Sequence, residues 1–113
     1  MTEASLSVAT ELRGDIALIS AAGEVDAHTA PELRSALDAV ISPGAKVVVD
    51  LTGVTFLDST GLGVFVVSLK HLREVDGTLD VVITSPRVLK VFTLTGLDVL
   101  IPIHESLSNV DLS

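Results

Sequence analysis

Apolar residues in this chain recur at two different spacings, and the two spacings alternate along the sequence. Residues 5–12 alternate loosely between apolar and polar positions and residues 16–23 are more continuously apolar, so together they predict a β-hairpin around a turn at residues 13–15. A continuous valine run within residues 46–51 predicts a strand that is covered on both faces. Two further strands are predicted at residues 79–84 and 99–103.

Three segments between these strands carry apolar residues at helical spacing, with helix start and stop signals around them. The first has Thr29 in the N-cap position and Pro31 in its first turn, and Ser42-Pro43-Gly44 ends it. The second is closed by Asp76-Gly77, and the third opens at Ser85-Pro86. The predicted helices span residues 29–41, 62–74 and 85–96, and a terminal helix is predicted to begin within residues 104–107.

The order of these elements predicts an α/β fold with a mixed sheet. From residue 46 onward strands alternate with helices, which implies parallel βαβ units with right-handed crossovers, whereas the opening hairpin is antiparallel. We therefore expect a sheet of four or five strands with the helices packed mainly on one face. A chain of 113 residues is long enough for one domain and too short for two, so we expect a single domain over residues 1–113 with a core from about residue 5 to residue 107.

Composition and charge argue against several classes of function. Fifteen acidic and seven basic residues give a formal net charge of −8, which disfavours direct nucleic-acid binding and favours a partner with a basic patch. Cysteine is absent, which excludes disulfides, thiolate catalysis and cysteine-based metal sites, and aromatic residues make up only 3%, so we expect an aliphatic core. No apolar run reaches the roughly 18–20 residues that span a bilayer, and the first ten residues lack a signal-peptide pattern, so we expect a cytoplasmic protein without membrane contact.

The residues that offer chemistry lie between the third strand and the second helix. Asp58, Ser59, Thr60 and Gly61 follow a short loop and precede an apolar pattern with helical spacing. The start of a helix leaves backbone N–H groups unpaired, so capping oxygens and anions are stabilised there. The Ser59 hydroxyl could therefore cap the helix, act as a nucleophile or carry a phosphate, and the spacing alone does not choose among these roles.

Three segments in this order resemble the STAS domain of bacterial anti-sigma factor antagonists. Gly23-Glu24-Val25-Asp26 is similar to the acidic loop after the family's second strand, and Leu94-Thr95-Gly96-Leu97-Asp98 is similar to its closing helix–turn–strand element. Asp50-Leu51 together with residues 56–63, FLDSTGLG, resembles the family's signature strand–loop–helix segment, and its D-S-T-G-L-G part is the most specific of these matches. The resemblance extends over about residues 5–107.

The resemblance implies a partner-switching regulator of transcription rather than an enzyme. In this family the unphosphorylated antagonist binds an anti-sigma factor that is also a serine kinase, and so frees a sigma factor, typically in a stress response. The kinase then phosphorylates the serine at the start of the second helix, which is Ser59 here, with Thr60 as the less favoured acceptor, and a serine phosphatase resets the protein. No cofactor or metal is implied, and we expect a monomer or a weak dimer. The residues implied for partner binding are Glu24, Asp26, Asp58, Ser59, Thr60, Gly61 and Leu62.

The same residues bear on several alternative functions. A STAS-type regulatory or scaffold domain of a sensory complex, without direct anti-sigma binding, stays open. A receiver domain phosphorylated on Asp50 would need an acidic pair near the end of the first strand and a lysine after the last strand, and neither is evident. His28, His71 and His104 have no metal-ligand spacing and are expected at the surface. A hydrolytic triad with Ser59 is disfavoured because no histidine stands in an obvious strand-end loop after the nucleophile and because the chain is small for a substrate pocket. A nucleotide site has no support, because a glycine-rich phosphate loop is absent from the sequence.

Two further groups of side chains lie within, near or beyond the signature segment. Part of the apolar set Phe56, Leu57, Leu62 and Val64 is expected in the core, and a subset is expected to form the apolar centre of an interface ringed by acids. The basic residues of the predicted helices are expected on exposed helical faces. They are Arg34, Lys70, Arg73, Arg87 and Lys90.

Overall fold

The alternation of strands and helices builds a five-stranded sheet with four α-helices in the computed structural model, which describes residues 5–110. The strands are β1 (Leu6–Arg13), β2 (Ile16–Val25), β3 (Lys46–Leu57), β4 (Thr78–Val82) and β5 (Ile103–His104). The helices are α1 (Ala30–Val40), α2 (Ser59–Glu74), α3 (Pro86–Leu94) and α4 (Leu97–Leu100), followed by a short 3-10 helix at Leu107–Asn109. Of the single domain expected over residues 1–113, residues 1–4 and 111–113 lie outside the described range.

The strands follow one another across the sheet in chain order. β1 is antiparallel to β2, and every other neighbouring pair is parallel. With this order, right-handed crossovers put each helix that connects two parallel strands on the same face of the sheet. The main core lies on that face, which confirms the predicted mixed α/β sheet with helices mainly on one side.

The core is built from aliphatic strand residues and one side of each long helix. Leu33 and Leu37 of α1, Phe65 of α2 and Phe92 of α3 are fully buried against the sheet. The rings of Phe65 and Phe92 meet edge to face, with centroids 5.4 Å apart and an interplanar angle of 64°. The centre of the core therefore contains an aromatic pair, in contrast to the aliphatic core that the composition predicts. A smaller cluster consists of Ile16, Leu18, Val48 and Val82, with Leu107 and Val110 packed against it.

The third strand is longer than the sequence predicts. β3 continues to Leu57 instead of ending at Leu51, and β2 likewise extends to Val25. The pairing of the two strands shifts register twice, as at β-bulges. Gly53 permits the close approach at one of these shifts, because a Cβ atom on it would stand 2.9 Å from the Cβ atom of Ala22. The short loop predicted before Asp58 is therefore strand.

The prediction of a strand at residues 99–103 is wrong in its position. Leu97–Leu100 form α4 instead, and only Ile103–His104 pairs with β4. Gly96 adopts a left-handed conformation with φ of 77°, which ends α3 and lets the chain begin a new helix at once. The terminal helix expected to begin within residues 104–107 is also wrong, since the structure has a single 3-10 turn at Leu107–Asn109 there.

α2 carries the candidate functional segment at its first turn. It has 16 residues, and the helical spacing of Leu62, Phe65, Val66, Leu69 and Leu72 predicts an apolar stripe along it. All of these residues except the exposed Val66 are buried. Within residues 5–110, no helix combines the length and the apolar character that a bilayer crossing requires.

Candidate functional site

The signature segment lies at the edge of the sheet where β2 and β3 end. Val25, the last residue of β2, pairs with Leu57, the last residue of β3. The backbone N–H of Asp58 donates to the carbonyl oxygen of Val25 at 3.1 Å, which ties the start of α2 to β2. Since neighbouring strands lie about 4.8 Å apart, the acidic loop that follows β2 stands beside the start of α2.

Asp58, rather than Ser59, caps α2. Its Oδ1 atom accepts hydrogen bonds from the backbone N–H groups of Thr60 at 2.9 Å and Gly61 at 3.2 Å. Its carbonyl oxygen accepts from the N–H of Leu62 at 3.0 Å, which is the first turn of the helix. Ser59 is the first helical residue and is exposed to solvent. Of the three roles open to the Ser59 hydroxyl, helix capping is therefore performed by Asp58 instead.

This cap changes what a phosphate on Ser59 would meet. The sequence suggests that unpaired N–H groups at the helix start would stabilise an anion. Two of those groups instead donate to the Asp58 carboxylate. A phosphate on Ser59 would therefore add charge beside an existing carboxylate, at an exposed position where a covering protein would meet it.

We expect Asp58→Ala to lower the free energy of unfolding by about 1 kcal/mol, because the substitution removes the cap of α2. Ser59→Ala is expected to change it by less than about 0.5 kcal/mol, as is usual for an exposed side chain without a structural bond. Urea unfolding, monitored by circular dichroism, measures the free energy of unfolding of both variants. Equal losses for the two variants would mean that the Ser59 hydroxyl shares the capping role.

The acidic loop after β2 is held by hydrogen bonds of its own. Oδ1 of Asp26 accepts from the backbone N–H groups of His28 at 2.9 Å and Thr29 at 3.0 Å. The Thr29 hydroxyl accepts from the N–H of Asp26 at 3.0 Å and donates to the carbonyl oxygen of Glu24 at 2.7 Å. Thr29 occupies the predicted N-cap position, but its side chain, only 2% exposed, bonds this loop and does not cap α1. Asp26 thus orders the loop, and both acids remain partly exposed.

The hydrogen bonds of the loop lower the pKa of Asp26, with the N–H of Thr29 as the main cause, while partial desolvation opposes the shift. A carboxyl group with a lowered pKa stabilises the folded state above its unfolded pKa and loses that contribution as the pH falls through the folded value. We expect Asp26→Asn to be less stable than the wild type at about pH 6 and the difference to shrink as the pH falls below 3.8, the ordinary pKa of an aspartate, through the lower pKa of the folded state. Thermal unfolding across this range provides the measurement, and a difference that stays constant with pH would contradict the expectation.

Gly61 and Leu62, both expected to contact a partner, face the interior instead. A Cβ atom on Gly61 would stand 2.6 Å from the Cγ1 atom of Val25, so the glycine lets α2 pack directly on the end of β2. Leu62 is 9% exposed and belongs to the main core. Both residues position the exposed part of the site and offer a partner little surface of their own.

Phe56 is the apolar residue of the signature segment that reaches the surface. Its exposed fraction is 37%, whereas Leu57 and Val64 are buried with the core. Aromatic side chains at the centre of an interface contribute large contact areas at low conformational cost. Among the four apolar residues considered from the sequence, Phe56 is the candidate for such a contact.

The remaining candidates from the sequence do not join this site. Oδ1 of Asp50 accepts a hydrogen bond from the backbone N–H of Thr52 at 2.9 Å, so the Asp50 carboxylate makes a local backbone contact. His28 is exposed as expected, whereas His71 and His104 are only partly exposed, and the Nε2 atom of His104 lies 2.7 Å from Oδ2 of Asp80. Among residues 5–110, no group of three or more histidines and acids could hold a metal ion.

A groove between α1 and α2 adjoins the site and is not predicted by the sequence. The five basic helix residues are exposed as expected, but Arg34 also lines this groove together with Thr60. The sequence signal is weak, because Pro31, Arg34 and Asp38 recur at helical spacing beside the apolar stripe of α1 and resemble any solvated helix face. The groove has a volume of about 440 Å³, and its lining consists of Ala27, Ala30, Pro31, Arg34, Ser35, Asp38, Thr60 and Val64.

Known proteins are similar to this chain in sequence and in structure over most of its length. Residues 7–110 match the family model described as STAS domain. An anti-sigma-B factor antagonist of Listeria monocytogenes is 43% identical over 86 residues, which cover 75% of this chain and 75% of that protein. One from Bacillus subtilis is 39% identical over 85 residues, covering 75% of this chain and 78% of that protein. The crystal structure of an anti-sigma factor antagonist from Mycobacterium paratuberculosis matches with a TM-score of 0.85 and 32% identity, covering 93% of this chain and 90% of that one.

Proposed function

Since this chain belongs to the STAS domain family, as its signature segment predicts, we propose that it is an anti-sigma factor antagonist switched by phosphorylation of Ser59. In the unphosphorylated state it binds an anti-sigma factor with serine-kinase activity and so releases a sigma factor. The kinase then transfers the γ-phosphoryl group of ATP to the Ser59 oxygen, which loses its proton, and the complex dissociates. A serine phosphatase hydrolyses the phosphoserine and restores the binding form. The chain itself acts by binding and supplies no catalytic residue.

The observation that carries the proposal is an exposed hydroxyl at a helix start that another residue caps. A kinase needs an accessible oxygen, and Ser59 is exposed. The fold must also tolerate modification of that oxygen, and here the cap bonds are made by Asp58. Thr60 is exposed as well, but it lines the groove toward α1, so Ser59 is the preferred acceptor.

The surroundings of Ser59 favour a partner with a basic surface. Asp58 and Asp26 follow paired strand ends, and Glu24 precedes them on β2, so the unmodified site is already acidic. Phe56 adds an exposed apolar side chain within three residues of the acceptor. An apolar contact surrounded by complementary charge is the common arrangement of a protein interface. Because sigma factors act on RNA polymerase, this function also places the chain in the cytoplasm.

Binding and sigma release test the proposal together. The unphosphorylated chain is titrated into candidate kinase-type anti-sigma factors in the presence of ADP, and displacement of sigma factor from a preformed complex is followed by gel filtration. We expect one anti-sigma factor to bind and to lose its sigma factor in proportion. Absence of binding to every such kinase of the source organism would contradict the proposal and favour the scaffold alternative.

A further inference from the structure

A single cation lies beside an otherwise acidic site. The groove between α1 and α2 reaches from Thr60, next to the proposed acceptor, to Arg34 on α1, and Arg34 is the one basic residue among those that line it. Most of the remaining lining is small or apolar. Apart from His28, the ionisable side chains of the adjoining loop and helix start are acidic. They are Glu24, Asp26 and Asp58.

The guanidinium group of Arg34 is only weakly engaged within the chain. Its Nε atom lies 3.6 Å from Oδ2 of Asp38, and the two side chains are 46% and 48% exposed. Exposed ion pairs of this kind stabilise a protein very little. A carboxylate of a partner that excludes water from the groove would bind the same group more strongly, with two parallel hydrogen bonds.

We propose that Arg34 is a specificity-determining residue for the anti-sigma factor, whose docking segment places an apolar side chain in this groove and a carboxylate against Arg34. The inference rests on the proposed function and adds to it one contact in which this chain supplies the positive charge and the partner the negative charge. The acids around Ser59 require basic groups on the partner, whereas Arg34 requires one acid at a defined distance from them. Such a mixed charge pattern fixes the orientation of a complex and rejects partners that are simply basic.

Arg13 provides a matched control for charge reversal. It pairs with Glu11 and its side chain is 46% exposed, the same fraction as Arg34, but it lies in the hairpin at the opposite end of β2. The ten residues of β2 separate the two ends by roughly 30 Å. Arg34→Glu and Arg13→Glu therefore make the same change in net charge and each leaves an acid without its exposed partner.

The experiment measures the affinity of unphosphorylated variants for the anti-sigma factor by calorimetry at one ionic strength, with thermal unfolding to check each fold. We expect Arg34→Glu to weaken binding at least tenfold, Arg34→Lys to weaken it less, and Arg13→Glu to remain within about twofold of the wild type. Asp38→Asn frees Arg34 from its competitor and is expected to strengthen binding about twofold. Replacement of the facing acid of the partner by Arg is expected to restore binding of Arg34→Glu.

Each other outcome overturns a distinct statement. Equal losses for Arg34→Glu and Arg13→Glu would reduce the effect to net charge. Parallel losses for the Arg34 and Asp38 variants would assign Arg34 a structural role in α1. An effect of Arg34→Glu confined to the phosphorylated chain would make the guanidinium an internal ligand of the phosphate. If the wild-type chain binds no anti-sigma factor, the proposed function fails and the inference fails with it.

Discussion

Phosphorylation of Ser59 is expected to weaken binding of the anti-sigma factor at least a hundredfold. The modification adds about −1.5 to −2 charges to an exposed residue beside the Asp58 carboxylate. The helix-start N–H groups of Thr60 and Gly61 are already engaged, so a partner that covers Ser59 must desolvate the new charge beside the Asp58 carboxylate. Burial of a charge that gains no pairing group costs several kcal/mol, and about 3 kcal/mol corresponds to more than a hundredfold in affinity.

Three substitutions separate charge from shape in that experiment. Ser59→Asp is expected to bind weakly, like the phosphorylated chain. Ser59→Asn, whose side chain is nearly isosteric with that of Ser59→Asp but uncharged, and the smaller Ser59→Ala are expected to bind like the unmodified protein. Ser42→Asp makes the same change at an exposed position near the start of β3, at the other end of the sheet, and is expected to have little effect. Calorimetric titration against the anti-sigma factor measures all four.

The fold is expected to remain unchanged in these variants, because the capping bonds come from Asp58. Thermal unfolding of Ser59→Asp should therefore stay close to that of the wild type. Comparable affinity of Ser59→Asp, the phosphorylated chain and the wild type would remove the electrostatic basis of the switch. Weak binding by Ser59→Asn as well would mean that bulk at this position matters and charge does not.

Alanine substitutions at the two glycines of the first turns of α2 are expected to have opposite effects on stability. A Cβ atom on Gly61 would meet Val25 at 2.6 Å and Leu57 at 3.1 Å, so Gly61→Ala is overpacked and is expected to cost about 1–3 kcal/mol. A Cβ atom on Gly63 would meet no other atom within 4 Å, so Gly63→Ala is expected to stabilise the helix by up to about 1 kcal/mol.

Urea unfolding of the two variants makes this comparison, with the wild type measured in parallel. Gly61→Ala should also weaken binding of the anti-sigma factor, because relief of the overlap moves the start of α2, which carries Ser59, away from β2. Two variants of similar stability would show that α2 is not packed on Val25 as described. Gly63→Ala is the control for helix propensity and for an added methyl group near the site.

The sequence predicts those parts of the fold that depend on local periodicity. The opening hairpin, the alternation of strands and helices after it and the buried stripe of α2 all follow from spacing, and the structure confirms them. It misplaces elements whose conformation depends on distant packing. β3 continues through Gly53, where the missing Cβ atom permits the close approach of Ala22 on the neighbouring strand, and this contact cannot be seen in a local window of sequence. α4 replaces the predicted strand at residues 99–103 because Gly96 permits a left-handed turn directly after α3.

The candidate site likewise has features that the local sequence predicts and features that depend on packing. The position of Ser59 at a helix start is predictable from the D-S-T-G-L-G segment, and its exposure agrees with a modification site. The choice of Asp58 as the cap depends on its extended backbone after β3, so spacing could not separate it from Ser59. The groove at Arg34 depends on the packing of α1 against α2, and on the sequence of α1 alone that arginine is an ordinary exposed residue.

Identification of the modified oxygen is the most direct measurement of the proposed switch. The chain is incubated with its kinase-type anti-sigma factor and ATP, and the intact protein and its peptides are analysed by mass spectrometry, with Ser59→Ala and Thr60→Ala treated in parallel. One phosphate on Ser59, retained in Thr60→Ala and lost in Ser59→Ala, is the expected result. A phosphate located on Thr60, or an unmodified wild-type chain after complete incubation, would contradict it.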